Sequence, residues 1–424
     1  MLLSLVLVAR IIGRAGYGEF GLIRTTIMMF VSFGGLGLGL TANRFVAQYR
    51  HRDKPHSGEI ITTSYALAAV SGLLTGVAVF AGARYLAIRV GGSPALESGL
   101  RLASAVLVLS AVNGAQTGML QGLHAYRELA IASLMQGAIG VLLMIAGARW
   151  FGLNGALGGL LLQTCSATAV SHYFIRREAV RQGIPLTWNG FARMAPVFWR
   201  FSVPVMLMGL AVAPFKWVSE TLLARSFGFQ TLGVFHASMT VANVLIAAAS
   251  SLHAPLVSLS ASAYGSASSA RSQYLNLYGS WYLFLVLAVP LAAFPRLASL
   301  PFGGDFVSPD FYAVTLLLIL YCGMMLYYQG IMRMMALHGS MWFGFATNLL
   351  EGASLVASFL LLKNWGALGL GVAYVVSYVV RIAASLPYLL SRGIIPRELM
   401  LDRYFAGTLA VLATLVVVRL AGVL

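Results

Sequence analysis

The sequence predicts an all-α polytopic membrane protein with two six-helix bundles, related by a pseudo-two-fold axis along the membrane normal, plus one extra C-terminal helix. Three observations carry this. The 424 residues are 59% hydrophobic and 9% charged, with a mean hydropathy of +0.84, whereas a soluble domain carries roughly 25% charged residues. Apolar runs near the length that crosses a bilayer core as a helix, about 20 residues, recur along the whole chain. Short motifs also repeat at about half the chain length.

The runs lie at 1–12, 22–41, 60–82, 100–122, 129–149, 155–175, 201–223, 231–257, 274–297, 311–334, 342–362, 368–390 and 404–422. Run 1, MLLSLVLVARII, lacks the basic stretch and small-residue cleavage site of a signal peptide. At 12 residues it is short for a full span. Glycine separates runs 1 and 2, and the charged stretch Arg50 to Lys54 separates runs 2 and 3. Gly91 to Pro94 lies between runs 3 and 4, and His124 to Arg127 divides runs 4 and 5. Residues 176–200, between runs 6 and 7, form the largest connection and a basic one. Lys363 to Trp365 divides runs 11 and 12. This predicts an N-terminal lobe over 1–176, a basic linker over 177–200, a second lobe over 201–391 and a further helix over 404–424. No connection has room for a soluble domain, so any chemistry belongs in or against the membrane.

The net charge of +16 would point to nucleic acid in a soluble protein. Here it sits mainly in short connections between apolar runs, where it encodes orientation, and nucleic acid is excluded as a partner. Even-numbered connections and the run ends beside them hold 15 Lys and Arg residues, among them Arg50, Arg52, Arg127, Arg176, Arg177 and Arg333, and odd-numbered ones with their run ends hold 8. The excess places the even connections, and with them the N-terminus, in the cytoplasm of a plasma-membrane protein. Cys165 and Cys322 lie inside apolar runs as small hydrophobes with no metal or disulfide spacing. The seven histidines do not cluster; His236 and His253 share run 8 but are 17 residues apart, a spacing that favours structural roles. Trp150, Trp281, Trp342 and Trp365 lie near run ends, as interfacial anchors do. Neither a cofactor nor a metal site is indicated.

Gly13, Gly18 and Phe20 match Gly228, Gly233 and Phe235 at an offset of 215. Ser133 to Gly137 resembles Asn348 to Gly352 at 215, Leu123-His124 recurs as Leu337-His338 at 214, and Gly155-Ala-Leu-Gly158 recurs as Gly366-Ala-Leu-Gly369 at 211. Six runs per period preserve orientation, so the halves are parallel repeats, an architecture in which two bundles rock about a site between them.

The segments ARIIGRAGYGEFGL (9–22), FGGLGLGLTANRFVAQYR (33–50), FGLNGALGG (151–159) and ARSFGFQTLGVFHASMTVAN (224–243) resemble the polysaccharide-export flippases. These are the O-antigen and teichoic-acid exporters of the MOP superfamily, relatives of the MATE antiporters. The resemblance covers essentially the whole chain through loose Gly and aromatic positions. It implies a MATE/MOP-like fold and transfer of undecaprenyl-diphosphate-linked oligosaccharide from the inner to the outer leaflet, alongside glycosyltransferases and a polymerase. Family members often carry Asp where this chain has Gly34-Gly35, and Asp in helix 7 where it has Glu220.

A diphosphate headgroup needs a wet, cationic passage, because charges are costly in hydrocarbon, and Arg suits phosphate through its bidentate fork. Charges in or at the ends of spans are therefore the candidates. Arg10, Arg24, Arg44 and Lys216 are the diphosphate-binding set, with snorkelling to headgroups the alternative for the arginines. Glu220 and Glu351 are candidates for a coupling ion, H+ or Na+. Lys216 and Glu220 are four residues apart and share a helical face, where they neutralise one another or Glu220 takes up a cation and releases Lys216. Pro204 and Pro214 interrupt this helix. Glu351 bonds the Asn348 region or a partner helix, with Gln136 at the matching place in the first half. A MATE-like drug or cation antiporter is the second reading, and it favours acidic over Arg-lined cavities. An enzyme acting on lipid-linked sugars ranks third, since the outer connection 298–310 offers only Asp305 and Asp310, and a non-transporting scaffold ranks fourth.

Overall fold

The structure is a computed structural model that describes residues 2–188, 196–250, 269–337, 341–395 and 402–423. Among these residues every regular element is helical. The helices are α1 (Leu2–Gly34), α2 (Leu38–Tyr49), α3 (Lys54–Tyr85), α4 (Leu96–Gly122), α5 (Tyr126–Gln182), α6 (Val203–Leu210), α7 (Ala213–Ser250), α8 (Ser269–Ala293), α9 (Pro309–Leu337), α10 (Met341–Leu362), α11 (Gly366–Ser391) and α12 (Arg403–Val423). Eight described helices or runs of helix are long and apolar enough to cross a membrane, or nine if α1 and α2, bent by 46°, count as one further span.

Some of these are too long to be single spans. The 57 residues of α5 would reach more than twice the roughly 30 Å hydrocarbon thickness at about 1.5 Å per residue. They fold back on themselves instead. Gly152 has φ 57° and ψ −135°, a left-handed conformation in which a Cβ is strained, and the two arms meet on either side of it. A Cβ on Gly147 would come within 2.1 Å of Gly155 O, one on Gly159 within 2.6 Å of Leu143 O, and one on Gly140 within 2.5 Å of the Gln163 side chain. Helix α7 breaks in the same way at Gly228 (φ 79°, ψ 173°). Glu220 and His236, equally far from that break on either side, lie 3.4 Å apart. Helix α1 breaks at Gly13 (φ 70°, ψ −179°), and Gly366 (φ 56°, ψ −129°) turns the chain between α10 and α11. Cut at Gly13, Gly152 and Gly228, and with α2 counted together with the second arm of α1 and α6 with the first arm of α7, the described helices fall into thirteen stretches in the order of the apolar runs.

The repeat is therefore visible in the backbone. Gly13 and Gly228 share one conformation at an offset of 215, and Gly152 and Gly366 share another at 214. This corrects one motif match. The GALG tetrapeptides, paired by identity at 211, are three residues out of structural register, because the turn glycine is Gly152 in the first half but the motif's own Gly366 in the second.

The chain divides into two compact units, the first comprising Leu3–Ile12 and Glu19–Trp217, the second Gly13–Gly18 and Val218–Leu424. In the first, α2, α3 and α4 pack through glycine: a Cβ on Gly118 would stand 1.9 Å from Gly39 O, and one on Gly76 would stand 2.5 Å from the Val108 side chain. Small residues let helix backbones approach where lipid offers no hydrophobic drive. Asp53 caps α3 by accepting from the His56 N–H at 3.0 Å. In the second unit α9 is central, with 89% of its most apolar window buried, so it is hydrophobic all round. By the same measure α12 is 11% buried. Phe405 holds it, its ring 4.6 Å from that of Tyr327 and 5.0 Å from that of Tyr278. Trp281, expected at the interface, is instead fully buried and donates from Nε1 to Thr408 Oγ1 at 3.0 Å. Its indole N–H joins α8 to α12. Trp150, Trp342 and Trp365 are exposed.

Candidate functional site: a buried polar chain and the cationic positions

In the first unit, α2 and the preceding arm of α1 run antiparallel to the chain from Ser202 to Trp217. Thr41 Oγ1 lies 2.7 Å from Ser202 Oγ, a Cβ on Gly37 would meet Val205 Cγ1 at 2.8 Å, and Trp217 Nε1 donates to Thr26 Oγ1 at 2.9 Å. This register sets Lys216, next to Trp217, and Arg24, two residues before Thr26, on contacting helices. Both are half-buried. Arg44 is exposed, with its guanidinium 4.8 Å from the centre of the Phe201 ring and 5.5 Å from that of Phe45, within cation–π range. Arg10 is exposed on α1.

The two acidic candidates belong to the second unit, and both are buried. Glu220 Oε1 accepts from the Tyr374 hydroxyl at 3.3 Å, and Glu220 Oε2 faces His236 Nε2 at 3.4 Å. Glu351 pairs with Arg381 of α11, and the same guanidinium donates to Asn348 Oδ1. The guanidinium carbon of Arg381 lies 4.1 Å from the Tyr328 ring centre and 5.6 Å from that of Tyr378. Tyr328 in turn bonds Thr347 at 3.1 Å and Ser385 at 2.9 Å. Tyr321 connects the two groups, its ring 5.0 Å from that of Tyr374 and 5.1 Å from that of Tyr378. Two carboxylates are thus joined through tyrosines and one arginine inside a single unit.

Arg381 stands out in the sequence as a charge inside an apolar run, but nothing there assigns its partner 30 residues away. Tyr374 and Tyr321 carry no sequence signal beyond being aromatic. His236, read as structural, faces a candidate carboxylate. His253 and His338 lie outside the described residues. Arg333, expected in a loop, is in α9. Its Nε donates to Asn276 Oδ1 at 2.6 Å and Nη2 to Asn276 O at 2.7 Å, so it ties α9 to α8. Gln136, opposite Glu351 in the repeat, is half-buried. Among the described residues no group of three or more His, Cys, Asp or Glu side chains could hold a metal ion.

Comparison with solved structures defines the fold. The chain has the fold of the multidrug MATE transporters of the MOP superfamily. It is similar to the inward-facing conformation of one such protein with a TM-score of 0.75, at 16% identity, over 92% of this chain and 94% of that one. The outward-facing conformation gives 0.65, at 16% identity, over 92% and 90%. A MOP-superfamily transporter from Pyrococcus furiosus, described as having a binding pocket of reversed polarity, gives 0.62 at 17% identity over 94% and 92%. A comparison with curated proteins finds no match. The sequence pattern of the family described as polysaccharide biosynthesis protein matches residues 1–261. The chain belongs to that family, on a multi-pass membrane fold of the MOP type.

Proposed function

We propose that this protein is a flippase that moves undecaprenyl-diphosphate-linked oligosaccharide from the inner to the outer leaflet of the plasma membrane by alternating access, for cell-surface polysaccharide synthesis. The observation that carries the proposal is membership of a polysaccharide biosynthesis family by a chain with a transporter fold. Arg10, Arg24, Arg44 and Lys216 take the diphosphate, and the lipid tail stays in the bilayer. Glu220, reached by Tyr374 and His236, takes up a coupling H+ or Na+, with Glu351 and Arg381 as the second polar station. The protein acts as a transporter and not as an enzyme, between glycosyltransferases that build the glycan and a polymerase that extends it. The N-terminus is cytoplasmic. The buried carboxylates favour one alternative, a cation-coupled drug antiporter.

Deleting the gene should trap lipid-linked glycan on the inner leaflet. Lys216→Ala and Glu220→Gln should fail to restore export, while Arg177→Ala, an exposed position, should restore it. Arg333 is unsuitable as a control because it holds two helices together. A deletion strain with intact surface glycans but new sensitivity to cationic drugs would replace the flippase with the antiporter.

A further inference from the structure

The second unit holds a cavity of about 370 Å3 among its inter-helix turns, apart from the buried polar chain. Arg14 enters it from beside the Gly13 break, Gln230 from beside the Gly228 break, Asp310 from the start of α9, and Asn364 and Trp365 from the turn at Gly366. These four junctions are all odd-numbered, so alternate threading puts them at one end, the one that the charge count assigns to the outside.

The lining is notable for what it leaves unpaired. Arg14 Nε is buried and makes no hydrogen bond. Arg14 and Asp310 share the cavity, yet neither forms an ion pair among the described residues. The site thus offers guanidinium and amide donors, carboxylate and amide acceptors, and an indole that is 58% exposed. One positive and one negative charge balance, which disfavours a simple anion such as phosphate. The polar wall disfavours a lipid tail.

We infer that this cavity binds a pyranose ring of a neutral sugar at the outer end of the second unit. Hydroxyls that both donate and accept match the mixed lining, and the apolar C–H face of the ring lies on Trp365. The volume falls at the small end of ligand pockets, about 300–1,000 Å3, which suits one ring or two. The inference rests on the flippase reading for the source of the sugar, which is the glycan arriving at the outer leaflet; the turns that form the breaks between helices then receive it.

The test uses the full chain in lipid nanodiscs and three free sugars, methyl glucoside, methyl galactoside and N-acetylglucosamine, with saturation-transfer NMR as the readout. At least one sugar should receive saturation through the C–H protons of one ring face. Binding should weaken by about tenfold in Trp365→Ala, the loss of one good contact, and remain unchanged in Trp342→Ala, another exposed tryptophan. Because Trp365 precedes a turn glycine, Asn364→Ala with Gln230→Ala provides a second variant, with the same weakening expected. No transfer to any of the three sugars, transfer undiminished in both the Trp365 and the Asn364/Gln230 variants, or displacement of the sugar by inorganic phosphate would overturn the inference. Free-sugar binding needs no transport, so its failure leaves the flippase reading standing, and a deletion strain with intact glycans would sink that reading without touching this cavity.

Discussion

Two side chains show how single residues respond to their surroundings. Arg381 and Glu351 are 6% and 2% exposed, and removing one partner of such a pair strands a buried charge, which costs about 3–5 kcal/mol, whereas replacing both with apolar groups is often neutral. Arg381→Ala should therefore lower the unfolding temperature of the purified protein sharply, and the double variant Arg381→Met with Glu351→Leu should recover most of the loss. A double variant no more stable than the single one would show that the pair matters through its tyrosine and Asn348 contacts instead. His124 lies in the connection between α4 and α5. Its Nδ1 is 3.0 Å from Arg50 Nη2, and the arginine donates to the unprotonated nitrogen. Burial first, then the charges of Arg50 and His51, hold its pKa below the ordinary 6.5. The unfolded chain then binds more protons than the folded one as pH falls through 6.5, so stability present above that value is lost below it. His124→Asn, which keeps a residue tolerant of the positive φ of 57°, should flatten this part of the melting profile between pH 7.5 and 5.5. An unchanged slope would assign the acid sensitivity to another group.

At the scale of elements the sequence is easiest to read where one residue type sets the geometry. Hydrophobic run length locates the helices, and the glycines at 13 and 228 mark both a break and a repeat. The correspondence of Gly152 with Gly366 is less legible, because the GALG identity at 211 competes with the turn register at 214, and only backbone conformation decides between them. The same motif offers a contrast. A Cβ on Gly155 would stand 2.0 Å from Gly147 O, while one on Gly158 meets nothing within 4 Å. Gly155→Ala should push the α5 arms apart at a cost of about 1–3 kcal/mol, as overpacking does. Gly158→Ala should stabilise by about 0.5–1 kcal/mol, since alanine loses less freedom in a helix. Thermal unfolding of the two variants checks both, and equal effects would mean the arms are not in contact. Pairings between elements are the part the sequence hides. Glu220 meets Tyr374 at a separation of 154 residues, and no periodicity encodes which of 18 tyrosines a carboxylate selects. For the same reason Trp281 reads as an interfacial anchor although Thr408 takes its N–H in the interior.

For the whole molecule the charge count makes a claim that alternate threading of the helices must respect. Fifteen Lys and Arg in or beside even connections against eight in or beside odd ones is a bias that predicts one orientation under the positive-inside rule. Arg177 and Trp365 test it from opposite sides. Both are exposed, Arg177 at the end of the second arm of α5 and Trp365 at the turn between α10 and α11. With Cys165 and Cys322 replaced by alanine, Arg177→Cys should react with a membrane-impermeant maleimide only after cells are opened, and Trp365→Cys should react in intact cells. The reverse pattern would invert the protein, and it would carry the sugar-binding cavity to the cytoplasmic face, where a leaflet-to-leaflet exporter would meet its glycan on loading and not on release. Reaction of both sites in intact cells would require an even number of crossings between them. Five segments separate these positions if Gly228 and the other break glycines turn the chain, and the segment that precedes Arg177 must then end on the opposite side from the one that precedes Trp365. Labelling therefore tests the orientation and the reading of α7 as two spans in one experiment: were α7 a single crossing, the two cysteines would share a side.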